Sequence, residues 1–165
     1  MLVKDNKIKK VSLIQLPYTM LTPEWAISYS GVPLAISYLK SYASIQPWYS
    51  KTKIDIHEDL NTSMVSDAFL VNRLTKEKPD MIGFSLYPWN LVRSLYIAEK
   101  IKEILPKVKI IVGGPEVSLD NELITKCNAV DTMVLGEGEE AFSEVLESFI
   151  NGKDRLEISM EFAIE

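Results

Sequence analysis

The chain has 165 residues, enough for one domain with a proper core. Lys plus Arg is 18 and Asp plus Glu is 23, and the resulting net charge of −5 argues against nucleic acid as the main partner, which calls for a basic face. The single cysteine, Cys127, excludes an intramolecular disulfide and a Cys-rich metal motif and fits a reducing, cytoplasmic compartment; no apolar run is long enough to cross a bilayer.

Residues 1–10 are polar and lysine-rich, lack the apolar core of a signal peptide, and read as an N-terminal tail. Residues 11–16 read as a first strand closed by Pro17. A long loop follows over 18–30, carrying Tyr18, Pro23, Trp25 and Tyr29; a connection of this length in a compact domain is functional or disordered. Gly31-Val32-Pro33 opens a helix over 34–44, with Leu34, Tyr38 and Tyr42 on one face. After a turn region at 46–52, residues 53–57 alternate polar and apolar as an edge strand does. Ser63 is placed to cap a helix over 64–78, which Pro79-Asp80 stops. The third strand spans 81–86, and Tyr87-Pro88-Trp89 forms a rigid aromatic elbow after it. Asn90 then serves as N-cap of a helix over 91–105, ended by Pro106, with Leu91, Leu95, Ala98, Ile101 and Leu105 inward. A fourth strand covers 108–112, and Ser118 can cap a short helix over 119–126. Residues 130–135 form a fifth strand and 139–150 a last helix, with Gly152 as its stop. Residues 153–165 read as a linker or the start of an absent following domain, leaving 11–152 as the domain proper.

Five successive βα units imply a parallel sheet with helices on both faces, an α/β, Rossmann-like (flavodoxin-like) three-layer sandwich. The polar second strand belongs at an edge, which predicts the order 2-1-3-4-5 with the switch point between strands one and three. Three strands end in special residues: Ser85-Leu86 after strand three, Gly113-Gly114-Pro115 after strand four and Gly136-Glu137-Gly138-Glu139 after strand five. Glycine lets backbone approach a ligand or take φ > 0, so these ends point to one site at one sheet edge, or to tight β–α turns. They are not a dinucleotide fingerprint, because strand one ends Gln15-Leu16-Pro17-Tyr18 with no glycine before Gly31, and no Walker A sequence occurs. Glu137, Glu139 and Glu140 suit a helix start, would repel a phosphate there, and are alternatively acid–base groups. His57, among Asp55, Glu58 and Asp59, reads as an exposed edge-strand histidine rather than a metal ligand. Cys127 reads as a structural or incidental thiol rather than a nucleophile. Ser85 stands where a receiver domain carries its phosphorylated aspartate, which disfavours phosphotransfer. Tyr18, Trp25, Tyr29, Tyr87 and Trp89 gather in the loops flanking the switch point, to line a pocket for a flat cofactor or to cover the sheet end.

Four stretches taken together resemble the B12-binding (cobalamin-binding) domain that precedes the catalytic domain of cobalamin-dependent radical SAM enzymes. They are Pro33-Leu34-Ala35-Ile36-Ser37-Tyr38-Leu39, Pro79-Asp80-Met81-Ile82-Gly83-Phe84-Ser85, Val112-Gly113-Gly114-Pro115 and Val134-Leu135-Gly136-Glu137-Gly138-Glu139. The resemblance implies cobalamin with its nucleotide tail threaded into the sheet edge, against Gly113, Gly114, Pro115, Gly136 and Gly138. It brings Ser85, Leu86, Glu137 and Glu139 to the same site, and puts the corrin over Tyr18, Gly31, Pro33, Leu34 and Tyr87. On this view a β-branched residue at Gly114 puts methyl groups where ligand atoms belong. The D-x-H-x-x-G motif that supplies a cobalt ligand in other B12 proteins is absent after strand one; Asp55-Ile56-His57 mimics its start, but on strand two and with Leu60 in place of the glycine. The resemblance therefore implies base-off, His-off binding with no metal ligand and no catalytic residue in this chain. With Cys127 alone the chain cannot hold a CxxxCxxC cluster, so it is either an excised domain or a stand-alone relative. In the first case the resemblance implies that SAM and a 4Fe-4S cluster belong to an absent radical SAM domain of the same natural chain, in a methyltransferase-type enzyme. The alternative is a cofactor-free Rossmann-like interaction module that docks onto such a catalytic domain. An FMN site would need a Ser/Thr-rich phosphate loop after strand one, where Pro17-Tyr18-Thr19-Met20 stands.

Overall fold

A computed structural model describes residues 9–17, 33–57 and 65–152; the expectations placed on Tyr18, Trp25, Tyr29, Gly31, Ser63 and on residues 1–8 and 153–165 lie outside these residues, while Lys9 and Lys10, read as tail, belong to the first strand. Short β-branched and aliphatic runs, each followed by a helix, give β1 (Lys9–Ile14), α1 (Leu34–Ser44), β2 (Thr52–Ile56), α2 (Asp67–Glu77), β3 (Met81–Ser85), α3 (Leu91–Ile104), β4 (Lys109–Gly113), α4 (Glu122–Thr125), β5 (Thr132–Met133) and α5 (Gly138–Ile150), with a 3-10 turn at Tyr49–Lys51. All pairings are parallel and the order is β2-β1-β3-β4-β5, as the polar second strand predicts. Among the described residues no helix is long and apolar enough to cross a membrane.

Strand alternation divides the core in two. Ile14, Ile82, Phe84, Ile110 and Val112 face α2 and α3, whose Leu70, Leu74, Leu95, Ala98 and Ile101 are buried against them. Leu13, Met81 and Ile111 face the other way, toward Ile36 and Ala43 of α1 and Phe142, Val145 and Leu146 of α5. On the edge strand β2, Lys53 and Asp55 point outward and pair at 2.9 Å, so the edge is charged.

Several local expectations are corrected. His57 is buried, 6% exposed, because α2 closes over the end of β2 and brings Glu77 Oε2 to 3.4 Å from its Nε2. The cap of α2 is Ser66, whose hydroxyl accepts from Phe69 N, and the helix starts at Asp67. The short helix starts after Asn121, not Ser118: the Asn121 carboxamide accepts from Leu123 N and donates to Glu116 O, which occupies the preceding residues in a turn. β5 shrinks to Thr132–Met133 because the residue before it pairs differently: Asp131 Oδ2 accepts from Ile110 N at 2.7 Å while Asp131 N donates to Ile110 O. In α1 the face bearing Leu34 and Tyr38 is exposed, 61% for each, and Ile36, Leu39 and Ala43 turn toward the sheet instead.

Candidate functional site

A cavity of about 410 Å³ lies between the sheet and the α1–α5 pair and opens at the C-terminal ends of the strands. That volume is in the range of small-molecule sites. Two rows of same-face strand residues make its floor. Leu13, Gly83 and Ile111, in register across three strands, form the inner row. Ser85 and Gly113, also in register, form the row nearer the edge, continued by Val134. Ala35, Ile36 and Leu39 of α1 and Gly138, Glu139 and Phe142 of α5 line the other side, and Tyr87, Pro115 and Gly136 contribute from the loops. The inner end is apolar throughout; the side chains with polar atoms are Ser85, Tyr87 and Glu139.

The glycines do different jobs. A Cβ on Gly113 would meet Val134 Cβ at 3.7 Å and Val134 O at 3.8 Å, ordinary contacts, so the missing side chain leaves real room on the cavity floor. Gly114 has φ +107°, and its Cβ direction is filled by the Leu86 backbone, with Leu86 O at 2.7 Å. Gly114 therefore shows the cavity only backbone; its lack of a side chain serves the β3–β4 junction, where Leu86 N donates to Gly113 O at 2.7 Å. The effect expected of a β-branched residue at Gly114 thus falls on the fold first. At Gly83 the gap is taken by neighbours, since a Cβ would sit 2.8 Å from Leu13 Cδ2.

Of the residues singled out from sequence, Ser85, Tyr87, Gly113, Gly114, Pro115, Gly136, Gly138 and Glu139 line the cavity. Pro33, Leu34, Leu86 and Glu137 do not. The Pro33 carbonyl accepts from Ser37 N and Ser37 Oγ and starts α1, Leu34 faces solvent, the Leu86 side chain is buried in the opposite core, and Glu137 is the N-cap residue of α5. The sequence reading missed Leu13, Gly83, Ile111, Ile36, Leu39, Val134 and Phe142. Two of these were within reach: Gly83 and Ile111 stand two residues before Ser85 and Gly113, and a period of two puts them on the same face.

The elbow after β3 is well fixed. Tyr87 and Trp89 stack with ring centroids 4.5 Å apart and planes 13° from parallel. Asn90 follows, 1% exposed. It makes no side-chain cap bond to α3. Its Oδ1 accepts from Tyr87 N at 2.8 Å, and its Nδ2 donates to Leu16 O at 3.0 Å and Ser85 O at 3.1 Å.

His57, the one histidine of the chain, lies at the end of β2 against Glu77 and does not line the cavity. Among the described residues no group of three or more His, Cys, Asp or Glu is placed to hold a metal ion. The Cys127 thiol is half-buried, 3.8 Å from Glu99 Oε1.

Comparison with known proteins places this geometry. The chain is 28% identical over 150 residues to the uncharacterized methyltransferase PH0819 of Pyrococcus horikoshii, covering 90% of this chain and 31% of that one. It is 39% identical over 70 residues to the cobalamin-dependent radical SAM methyltransferase TokK of Streptomyces tokunonensis, covering 42% of this chain and 10% of the relative. It is 31% identical over 121 residues to 2-(S-pantetheinyl)-carbapenam-3-carboxylate methyltransferase of Streptantibioticus cattleyicolor, covering 70% and 16%. The chain thus spans less than a third of each of these relatives. The structure superposes on a cobalamin-binding protein from Desulfitobacterium hafniense with a TM-score of 0.57 at 13% identity, over 87% of this chain and 60% of that one, a likeness of fold. Residues 26–146 match the family described as the B12 binding domain, and this chain belongs to that family.

Proposed function

We propose that the chain is the cobalamin-binding part of a B12-dependent radical SAM methyltransferase, with the cofactor held base-off and His-off at the C-terminal edge of the sheet. One observation carries this reading: an apolar slot runs from the strand ends inward beneath α1 and α5, with the vacant floor at Gly113. A slot of that shape suits a narrow, flat tail, while the corrin would rest outside it over the strand ends. Leu13, Ile111, Ile36, Leu39 and Phe142 would pack the tail's ring, and the Ser85 hydroxyl would supply a hydrogen bond near the mouth. The position of His57, behind β2 and away from the cavity, supports the absence of an imidazole on cobalt. When bound, cobalamin supplies a carrier for a methyl group. This chain's own residues bind and orient it and keep water from its tail.

The radical SAM context rests on the printed name of one relative. A CxxxCxxC stretch elsewhere in the natural chain is the expected finding. The interaction-module alternative expects Tyr18, Trp25 and Tyr87 packed flat over the strand ends; Tyr18 and Trp25 lie outside the described residues, and among the described residues the cavity is open at that end, which supports the cofactor reading. The test is direct. Purified protein mixed with hydroxocobalamin should carry corrin absorbance through gel filtration. Colourless protein after mixing with excess cofactor sinks the binding reading and leaves the fold untouched.

A further inference from the structure

At the switch point the strands β1 and β3 are neighbours, but the helices that follow them, α1 and α3, pack on opposite faces of the sheet. The last ladder pair is Ile14 with Phe84. Beyond it the two backbones must part, and their peptide groups lose their ladder partners. The Asn90 carboxamide stands in that gap. One amide group donates to Leu16 O on the β1 side and to Ser85 O on the β3 side, and accepts from Tyr87 N. It acts as one more rung, made by a side chain.

We propose that Asn90 is a positioning residue of the cofactor site: by tying the β1 exit to the β3 exit it fixes Ser85 and Tyr87, both of which line the cavity, before any ligand arrives. The inference rests on the cobalamin reading and adds a residue to it that touches no ligand. All three partners are backbone atoms, so a residue must offer two donors and one acceptor within a single planar group, which among side chains of this length only asparagine does. Aspartate has the same shape. Its carboxylate keeps the acceptor for Tyr87 N but sets negative oxygen against two carbonyl oxygens, and the rung turns from attractive to repulsive. Burial and those carbonyls raise the pKa of such a carboxyl, and once protonated it can donate to one of them again. Acid therefore restores part of the tie in the aspartate variant.

The experiment measures hydroxocobalamin affinity by absorbance, at neutral and at mildly acidic pH, in wild type, Asn90→Asp and Asn90→Ala, at a temperature where each is folded by circular dichroism. Wild type should bind at both pH values. Both variants should bind roughly tenfold more weakly or worse at neutral pH, and only Asn90→Asp should recover relative to wild type on acidification. Folded variants with wild-type affinity overturn the proposal and leave Asn90 a structural residue. A second measurement needs no variant: the Tyr87 amide should be protected from hydrogen exchange in cofactor-free wild type. Free exchange there also overturns the proposal. If wild type binds no corrinoid at all, the cobalamin reading itself falls and this inference falls with it; a binding wild type with indifferent variants isolates the failure to Asn90.

Discussion

Replacing Gly113 with alanine adds one methyl group to the cavity floor. The space for it is measurable: the new Cβ would lie 3.7 Å from Val134 Cβ and 3.8 Å from Val134 O, so the cofactor-free protein need not move. Alanine is also less costly to order than glycine in a strand, worth about 0.5–1 kcal/mol, so the melting temperature should hold or rise by about 1–4 °C. A ligand packed into the slot would feel the same methyl as added volume, at about 1–3 kcal/mol, or about 5- to 150-fold in Kd. The neighbouring change, Gly114→Ala, should behave in the opposite way. Its Cβ would be 2.7 Å from Leu86 O with φ at +107°, and left-handed strain plus displaced backbone should remove about 2–4 kcal/mol from the fold. Thermal melts without cofactor, beside hydroxocobalamin titrations of the folded proteins, separate the two. A Gly113→Ala protein that melts like wild type and binds like wild type would refute the packing of ligand against that floor. A Gly113→Ala protein that melts many degrees lower would refute the space assigned to it.

Three further outcomes are expected. Gly83→Ala should cost about 1–3 kcal/mol in a melt, because Leu13 Cδ2 at 2.8 Å must move, and it should weaken cobalamin binding as that methyl is pushed along the slot; an unchanged melt contradicts the contact. Ser94→Ala should stabilise the domain by about 1 kcal/mol, since the Ser94 hydroxyl is buried in α3 with no hydrogen-bond partner among the described residues; a lower denaturation midpoint speaks against it. His57→Ala should lose about 1–3 kcal/mol of stability, as a buried side chain, yet leave corrin affinity and spectrum unchanged. Lost binding together with a shifted corrin spectrum would put an imidazole on cobalt.

The strand order was legible because Lys53 and Asp55 interrupt β2 with charge while β3 and β4 are apolar on both faces, and a parallel strand with polar alternation belongs at an edge. The mouth of the cavity was legible too, because glycine and proline mark chain turns wherever they stand. Its depth was not. Leu13, Ile36, Leu39 and Phe142 are ordinary core residues by letter, and a leucine beside a void reads the same as one packed solid. Gly113 and Gly114 are adjacent and identical in sequence; only backbone angle and the position of Leu86 tell a cavity-facing gap from a structural one. Asn90 is the N-cap residue of α3 as its place before the helix suggests, but its side chain makes no cap bond, and its reach to Leu16 is a non-local contact that no local pattern encodes. His57 looked exposed for the same reason: the strand is at an edge, but α2 covers its end.

The two walls of the cavity come from opposite ends of the domain. α1 leads the chain and α5 closes it, and they pack on the same face while α2 and α3 cover the other with residues much nearer in sequence. Bringing α5 back to α1 closes a loop of nearly the whole domain, and that closure entropy is met before the contact returns anything. The α2–α3 half can therefore gain structure during synthesis while the slot still lacks one wall. Competence to hold a corrinoid should lag behind compaction in refolding, and the α5 amides should exchange through partial openings that leave α3 intact. A ligand seated between α1 and α5 closes that late-forming seam, so cofactor would act on this domain as the last folding contact as well as its cargo.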